Sequence, residues 1–321
     1  MLTLSAKTPT VICDKVPLQL ERYSGNPILQ ADPRNAWENL NVSNAGAVVH
    51  DGKVFLIYRA EGEDRRNGPG SWPITRLGLA VSENGYDISY RHPLPIFDRD
   101  LNDLWCEFGC EDPRISRIGD TYYIVYVTMS RFGHFGDRLA YATTRDFVHF
   151  ERHGLLMPQL EQRTSGFLPG MIDDDFVLFH RPMPNMWVSR SRNLKTWHHS
   201  QCMFETVPGT WYENKLGIGA PPLETEYGWL LFWHGKNNRA EYALGIMLLD
   251  KHDPAQIIKY QEEPILTCRM PYEKQGFCPN VVYTNGAVKF KDKYFVYYGC
   301  SDRCLSVATI DVELVDAWCR R

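Results

Sequence analysis

The sequence predicts an all-β chain folded as a five-bladed β-propeller. Three observations carry that prediction: a turn-plus-strand phrase that recurs five times, a near absence of helical periodicity, and an aromatic content of 13% with 9 Trp and 17 Tyr. Alternating apolar and aromatic residues between Gly/Asp/Asn turns are the pattern of half-buried strands. Internal repetition is the mark of an architecture whose units bury their faces against one another.

The phrase first appears at Asp51-Gly52-Lys53, which leads into Val54 to Tyr58. Gly119-Asp120-Thr121 leads into Tyr122 to Tyr126, and Asp173-Asp174-Asp175 into Phe176 to His180. Tyr227-Gly228 precedes Trp229 to His234, and Lys291-Asp292-Lys293 precedes Tyr294 to Tyr298. With Tyr58, Tyr126, His180, His234 and Tyr298 taken as equivalent, the steps are 68, 54, 54 and 64 residues. A second strand-and-turn phrase follows each copy: Leu77 to Gly85, Leu139 to Asp146, Met186 to Asn193, Tyr242 to Asp250, and a truncated Leu305 to Thr309. Each repeat of about 60 residues has room for four strands, the content of one blade. The expected organisation is one catalytic domain over 1–321, with the first ~40 residues and the C-terminal tail sharing or closing a blade. A two-domain α/β arrangement would need long amphipathic helices, and none is read.

The 321 residues carry 35 Lys+Arg against 39 Asp+Glu, a net charge of −4. No basic run is long enough to track a phosphate backbone, so nucleic acid is not an expected partner. No run of about 18 apolar residues suggests a membrane span. Met1 to Ile12 lack a basic start followed by an apolar core, so a cytoplasmic location is expected. Nine cysteines then read as reduced thiols. Cys106/Cys110 and Cys300/Cys304 are each spaced by four rather than as Cys-x-x-Cys, so no metal site is expected.

A propeller gathers ligands at one end of its axis, where inner strands and loops converge. Gly109-Cys110-Glu111-Asp112-Pro113-Arg114 lies just before the second repeat's turn, on or beside an innermost strand. Adjacent carboxylates on a strand point to opposite faces, so one of Glu111 and Asp112 faces a pocket and the other pairs with an arginine. The alternative is a buried salt-bridge corner. Basic groups recur at the repeat ends: His180-Arg181-Pro182, Trp233-His234-Gly235, Lys215 in the Gly/Pro-rich Asn214 to Pro222, and Arg163. Each alone reads as a surface or hydrogen-bonded residue. Together, an acid beside several cations suits a substrate that needs a proton next to a bound anion.

These segments, with Tyr58-Arg59-Ala60, Arg76 to Ala80 and Tyr298 to Asp302, resemble glycoside hydrolase family 130, the β-mannoside phosphorylases and their hydrolytic relatives, from Asn44 to Asp302. The resemblance implies a five-bladed propeller with Asp112, in the Glu-Asp-Pro-Arg motif, as general acid. It implies phosphate binding by Arg163, Arg181, Lys215, His234 and Tyr242. Sugar contacts are implied at Asn44, Arg59 and Asp302, with Glu111 beside them. Thr164 departs from the Asn that often follows the family's arginine, and the loop before Tyr242 differs in length. The implied reaction is inverting phosphorolysis of β-1,2- or β-1,4-mannosides or mannosyl-glucose to α-mannose 1-phosphate, with inorganic phosphate as co-substrate and no cofactor or metal. The resemblance also admits a homo-oligomer.

Other readings stay open. A β-mannosidase of the same family needs a second pocket carboxylate, for which Glu213 and Glu241 are candidates. A fructosidase or arabinanase would use an N-terminal acidic motif, faintly echoed at Ala31-Asp32-Pro33-Arg34. A non-catalytic binding propeller would leave Asp112 and the cations without a shared ligand. The loops Glu61 to Trp72 and Met129 to Arg138 are expected to rim the pocket and to select the acceptor, or else to be solvated surface.

Overall fold

The computed structural model of the protein describes residues 17–65, 71–132 and 137–321. Five antiparallel sheets stand in a ring. Blade A is β2 (Asn41–His50), β3 (Lys53–Arg65), β4 (Pro73–Ser82) and β5 (Ile88–Arg91). Blade B is β6 (Cys110–Ile118), β7 (Thr121–Thr128), β8 (Arg138–Thr144) and β9 (Phe150–Leu156). Blade C is β10 (Ser165–Ile172), β11 (Asp175–His180), β12 (Met186–Ser191) and β13 (His198–Phe204). Blade D runs β14 (Lys215–Ile218), β16 (Gly228–Lys236), β17 (Tyr242–Leu249) and β18 (Ile257–Tyr260), with short β15 (Leu223–Thr225) and β19 (Leu266–Thr267) beside it. Blade E contains β20 (Val282–Phe290), β21 (Lys293–Cys300) and β22 (Cys304–Asp311), and takes its outer strand from β1 (Glu21–Arg22).

The first repeated phrase is the second strand of every blade and the second phrase is the third strand. The truncated fifth copy has a physical cause. After β22 the chain turns into α2 (Val312–Arg320), so β1 supplies the missing edge, with Glu21 opposite Thr309 and Arg22 opposite Ala308. Arg22 is anchored there by Glu273 at 2.7 Å, a carboxylate in the short α1 (Pro271–Lys274) that also accepts from Tyr298 Oη. The nine-residue α2 was not legible. It buries Val315, Trp318 and Cys319 against the blade D–E core, and three buried positions give little period to read.

The core lies between blades. Leu230, Phe232 and Leu244 of blade D meet Val282, Tyr294 and Val296 of blade E, while Ile57, Leu77 and Leu79 of blade A meet Ile115 and Tyr126 of blade B. Inner strands line the axis: β2 packs between β20 and β6, β6 against β10, and β10 against β14. Three of them bulge early, between Ser43 and Gly46, Glu111 and Arg114, and Thr284 and Gly286. A bulge leaves residues unpaired and re-aims their side chains. All of this positions one end of the axis for chemistry.

The eight described cysteines are free thiols. Among the described residues, no helix is long and apolar enough to cross a membrane.

Candidate active site

A cavity of about 290 Å³ opens at the bulged end of the inner strands. Asn44, Arg59, Asp112, Arg163, Arg181, Lys215, Tyr242 and Asp302 line it, joined by Cys278, Val281 and Tyr283. Asn44 and Asp112 occupy the bulges of β2 and β6, with φ of 49° and 55°. Left-handed backbone is tolerated by Asn and Asp more readily than by most side chains. Here it turns both toward the axis. Pro113 follows Asp112 in the bulge, where its missing N–H breaks no ladder bond. Gly299 completes the fit, because a Cβ there would stand 2.0 Å from Asn44 Oδ1.

Asp112 accepts from Asn44 Nδ2 at 2.9 Å and from Arg59 Nη1 at 3.3 Å. Glu61, Glu111, Asp112 and Asp302 all lie within 3.6 Å of the Arg59 guanidinium. Burial works against its charge, but Asp302, Glu61 and Asp112 hold its pKa above the ordinary value. Glu111, behind the wall, pairs with Arg163, which also meets the buried Asp137 at 2.8 Å. The two adjacent carboxylates divide as expected, although the bulge rather than regular strand alternation re-aims Asp112: it faces the cavity, while Glu111 pairs with Arg163, and both lie near Arg59.

The opposite wall is basic. Among the described residues no carboxylate forms a salt bridge with Arg181 or Lys215. The buried Nε of Arg181 has no hydrogen-bond partner. Burial lowers the Lys215 pKa to about 7, helped by the nearby charges of Arg181, Lys236 and Arg163. Lys215 Nζ also lies 5.5 Å from the Tyr242 ring centroid. A buried cation without a counter-ion is costly. A pocket that keeps two of them side by side fits an anion.

His234 is placed differently from the other cations. It is fully buried on β16 and is not on the cavity wall; its Nε2 accepts from Arg181 Nη1 at 3.2 Å. Burial and then the Arg181 charge hold its pKa well below the ordinary value, so it is neutral. It orients Arg181 rather than adding charge. His180 is likewise a neutral core residue, bonded to Gln162 and Ser189, with burial lowering its pKa to about 4.

Tyr283, Val281 and Cys278 escaped sequence reading. Tyr283 packs against His234 with centroids 4.3 Å apart, and its hydroxyl meets Arg114 Nη2 at 3.2 Å and Thr164 Oγ1 at 3.1 Å. Thr164 is thus part of the cavity's support. The available signal was position: Tyr283 and Val281 sit at the start of the fifth inner strand, where the second inner strand carries Glu111 and Asp112.

Glu213 and Glu241 are not on the wall. Glu213 accepts from the Gly209 and Asn238 backbone N–H groups, and Glu241 from Asn237 and Arg239. Asp32 is tied to Arg34 at 2.8 Å, so the Ala31 to Arg34 echo is a surface turn. The expected loop from Glu61 is strand as far as Arg65, and 66–70 lie outside the described residues. In Met129 to Arg138, 133–136 lie outside them too, and Asp137 at its end serves the site by holding Arg163.

A five-bladed propeller whose axial cavity sets a carboxylate beside several cations has the make-up of an enzyme that places a proton donor next to a bound anion. The chain belongs to glycoside hydrolase family 130: the family model, described as β-1,4-mannooligosaccharide phosphorylase, matches residues 20–321. A 1,2-β-oligomannan phosphorylase of Thermoanaerobacter sp. is 34% identical over 92% of this chain and 98% of its own length. A β-1,2-mannobiose phosphorylase of the same organism is 33% identical over 92% and 99%. In structure, the chain resembles the β-1,2-mannobiose phosphorylase of Listeria innocua, with a TM-score of 0.83 at 23% identity over 94% of this chain and 99% of that one.

Proposed function

We propose that the protein is an inverting β-mannoside phosphorylase acting on β-1,2-linked mannosides. The observation that carries this reading is that Asp112 shares one cavity with Arg181 and Lys215, two cations that form no salt bridge with a carboxylate among the described residues. The acidic half, built on Asn44, Arg59 and Asp302, offers acceptors and donors to sugar hydroxyls. The basic half holds inorganic phosphate by charge-assisted hydrogen bonds, which are the stronger kind. Asp112 gives its proton to the glycosidic oxygen, relayed through the mannose 3-hydroxyl. A phosphate oxygen forms a bond to the anomeric carbon from the opposite face as the glycosidic C–O bond breaks. The products are α-mannose 1-phosphate and a saccharide one unit shorter, and Asp112 regains a proton from solvent. The β-1,2 linkage is favoured over β-1,4 because the three relatives at 33–34% identity carry β-1,2 names.

Hydrolysis is the second reading, because a solved structure with a TM-score of 0.84 at 26% identity comes from family members that are glycoside hydrolases targeting β-1,2 mannosidic linkages. An inverting hydrolase needs a base about 6.5–9.5 Å from the acid to activate water. Glu213 and Glu241 are engaged away from the cavity, and Asp302 shares Arg59 with Asp112. That arrangement favours phosphate as the nucleophile. The test is to supply β-1,2- and β-1,4-mannobiose separately with phosphate and follow consumption. Preferential loss of the β-1,2 isomer with mannose 1-phosphate formed supports the reading; preference for the β-1,4 isomer overturns the linkage.

A further inference from the structure

We infer that Trp72 and Phe277 form a saccharide platform outside the cavity, which holds the reducing-end sugars of a longer chain and makes oligosaccharides better substrates than the disaccharide. The inference rests on the reading of the cavity as a mannoside site. The two rings pack edge to face with centroids 5.1 Å apart, yet Trp72 is 54% exposed and Phe277 43% exposed. A contiguous exposed apolar patch beside a pocket is one mark of a ligand-binding groove.

The pair is built into the lip. Phe277 directly precedes Cys278, which lines the cavity. The Cys278 N–H donates to Ser301 O at 3.0 Å, in the turn that carries Asp302. Gly276 permits that approach, because a Cβ there would stand 2.5 Å from the same oxygen. Trp72 begins where Pro73 pairs with Arg65, six residues along β3 from the cavity residue Arg59. β3 bulges between Glu61 and Arg65, and its partner covers the same stretch from Leu77 to Pro73, so at ~3.3 Å per residue the strand runs roughly 13 Å outward. The platform therefore starts at the lip and leads away from the reacting bond.

The cavity's volume of about 290 Å³ lies at the low end for ligand sites, so a chain of several sugars must leave it. A pyranose presents a face of C–H groups, and a half-exposed indole offers the flat apolar surface that face needs. A second copy of the chain is a weaker occupant. Two rings of ~150–250 Å² each fall short of the ~800 Å² a side of a stable protein interface.

The test compares phosphorolysis of β-1,2-linked mannosides of two, three and four units by the unchanged protein, Trp72→Ala, Phe277→Ala and Trp72→Tyr. For the unchanged protein kcat/KM should rise with length. Trp72→Ala should lower it on the tetrasaccharide by about fivefold to tenfold, the size of one aromatic contact. It should leave the disaccharide within about twofold, Phe277→Ala should follow the same pattern, and Trp72→Tyr should retain most of the gain. A loss equal at every length, or no loss, overturns the platform. So does light scattering that shows Trp72→Ala breaking an oligomer, because the rings would then serve a second copy. Failure of the underlying reading is separate: the unchanged protein would turn over no β-mannoside of any length.

Discussion

Asp112 faces the cavity with one carboxylate oxygen held by Asn44 and Arg59, which leaves the rest of the group for a substrate hydroxyl. Asp112→Asn keeps those contacts and the bulge but carries no transferable proton. Turnover should fall by about 10²–10⁴-fold while circular dichroism and the unfolding midpoint stay near those of the unchanged protein. Lys215 gives a different signature. Lys215→Ala removes a charge-assisted bond of roughly 1.5–3 kcal/mol, so KM for phosphate should rise about tenfold to a hundredfold with KM for saccharide little changed. Its pKa lies below the ordinary value, at about 7, so the ammonium is lost as pH rises through that point. The reciprocal of KM for phosphate should therefore be highest on the acid side and fall above about pH 7. Lys215→Arg, which stays charged, should remove that fall. That Asp112, Arg181 and Lys215 meet in one cavity was legible because acids and cations at strand ends stand out in a repeat. The place of His234 behind the wall was not. Basic residues look alike in sequence, and only its burial behind Arg181 makes it a neutral acceptor. Tyr283 was hidden because an aromatic residue on an inner strand reads as core.

At the scale of elements, the bulged inner strands and the shared blade matter most. The second and third strands of every blade were legible from turns and alternation. The two-residue β1 was not, because a strand so short has no period. Its place is set by Arg22, whose guanidinium meets the fully buried Glu273. Arg22→Ala leaves that carboxylate buried without its cation, which should cost about 3–5 kcal/mol in denaturant unfolding. Adding Glu273→Gln to Arg22→Ala should recover part of the loss, because the stranded charge is gone. Equal stability of the single and double variants would show that the stranded charge is not what the loss comes from, and an unchanged Arg22→Ala would show that the pair adds nothing to blade closure.

For the whole molecule, β1 lies near one end of the chain and β22 near the other, so closing blade E closes the ring. Core clusters cross from blade to blade, which couples each sheet to its neighbours. Arg22→Ala should therefore lower the midpoint of a single transition, with fluorescence and circular dichroism coinciding, rather than release one blade early. The same ring sets the polarity of the site: carboxylates gather around Arg59, and Arg181 and Lys215, which form no salt bridge with a carboxylate among the described residues, line the same cavity. That polarity is the central claim, because it assigns the nucleophile. The most direct measurement is phosphorus-31 NMR together with proton NMR of β-1,2-mannobiose turnover with and without inorganic phosphate. The account predicts α-mannose 1-phosphate appearing in step with saccharide loss, and no turnover without phosphate. Free mannose released at the same rate in both samples would contradict it.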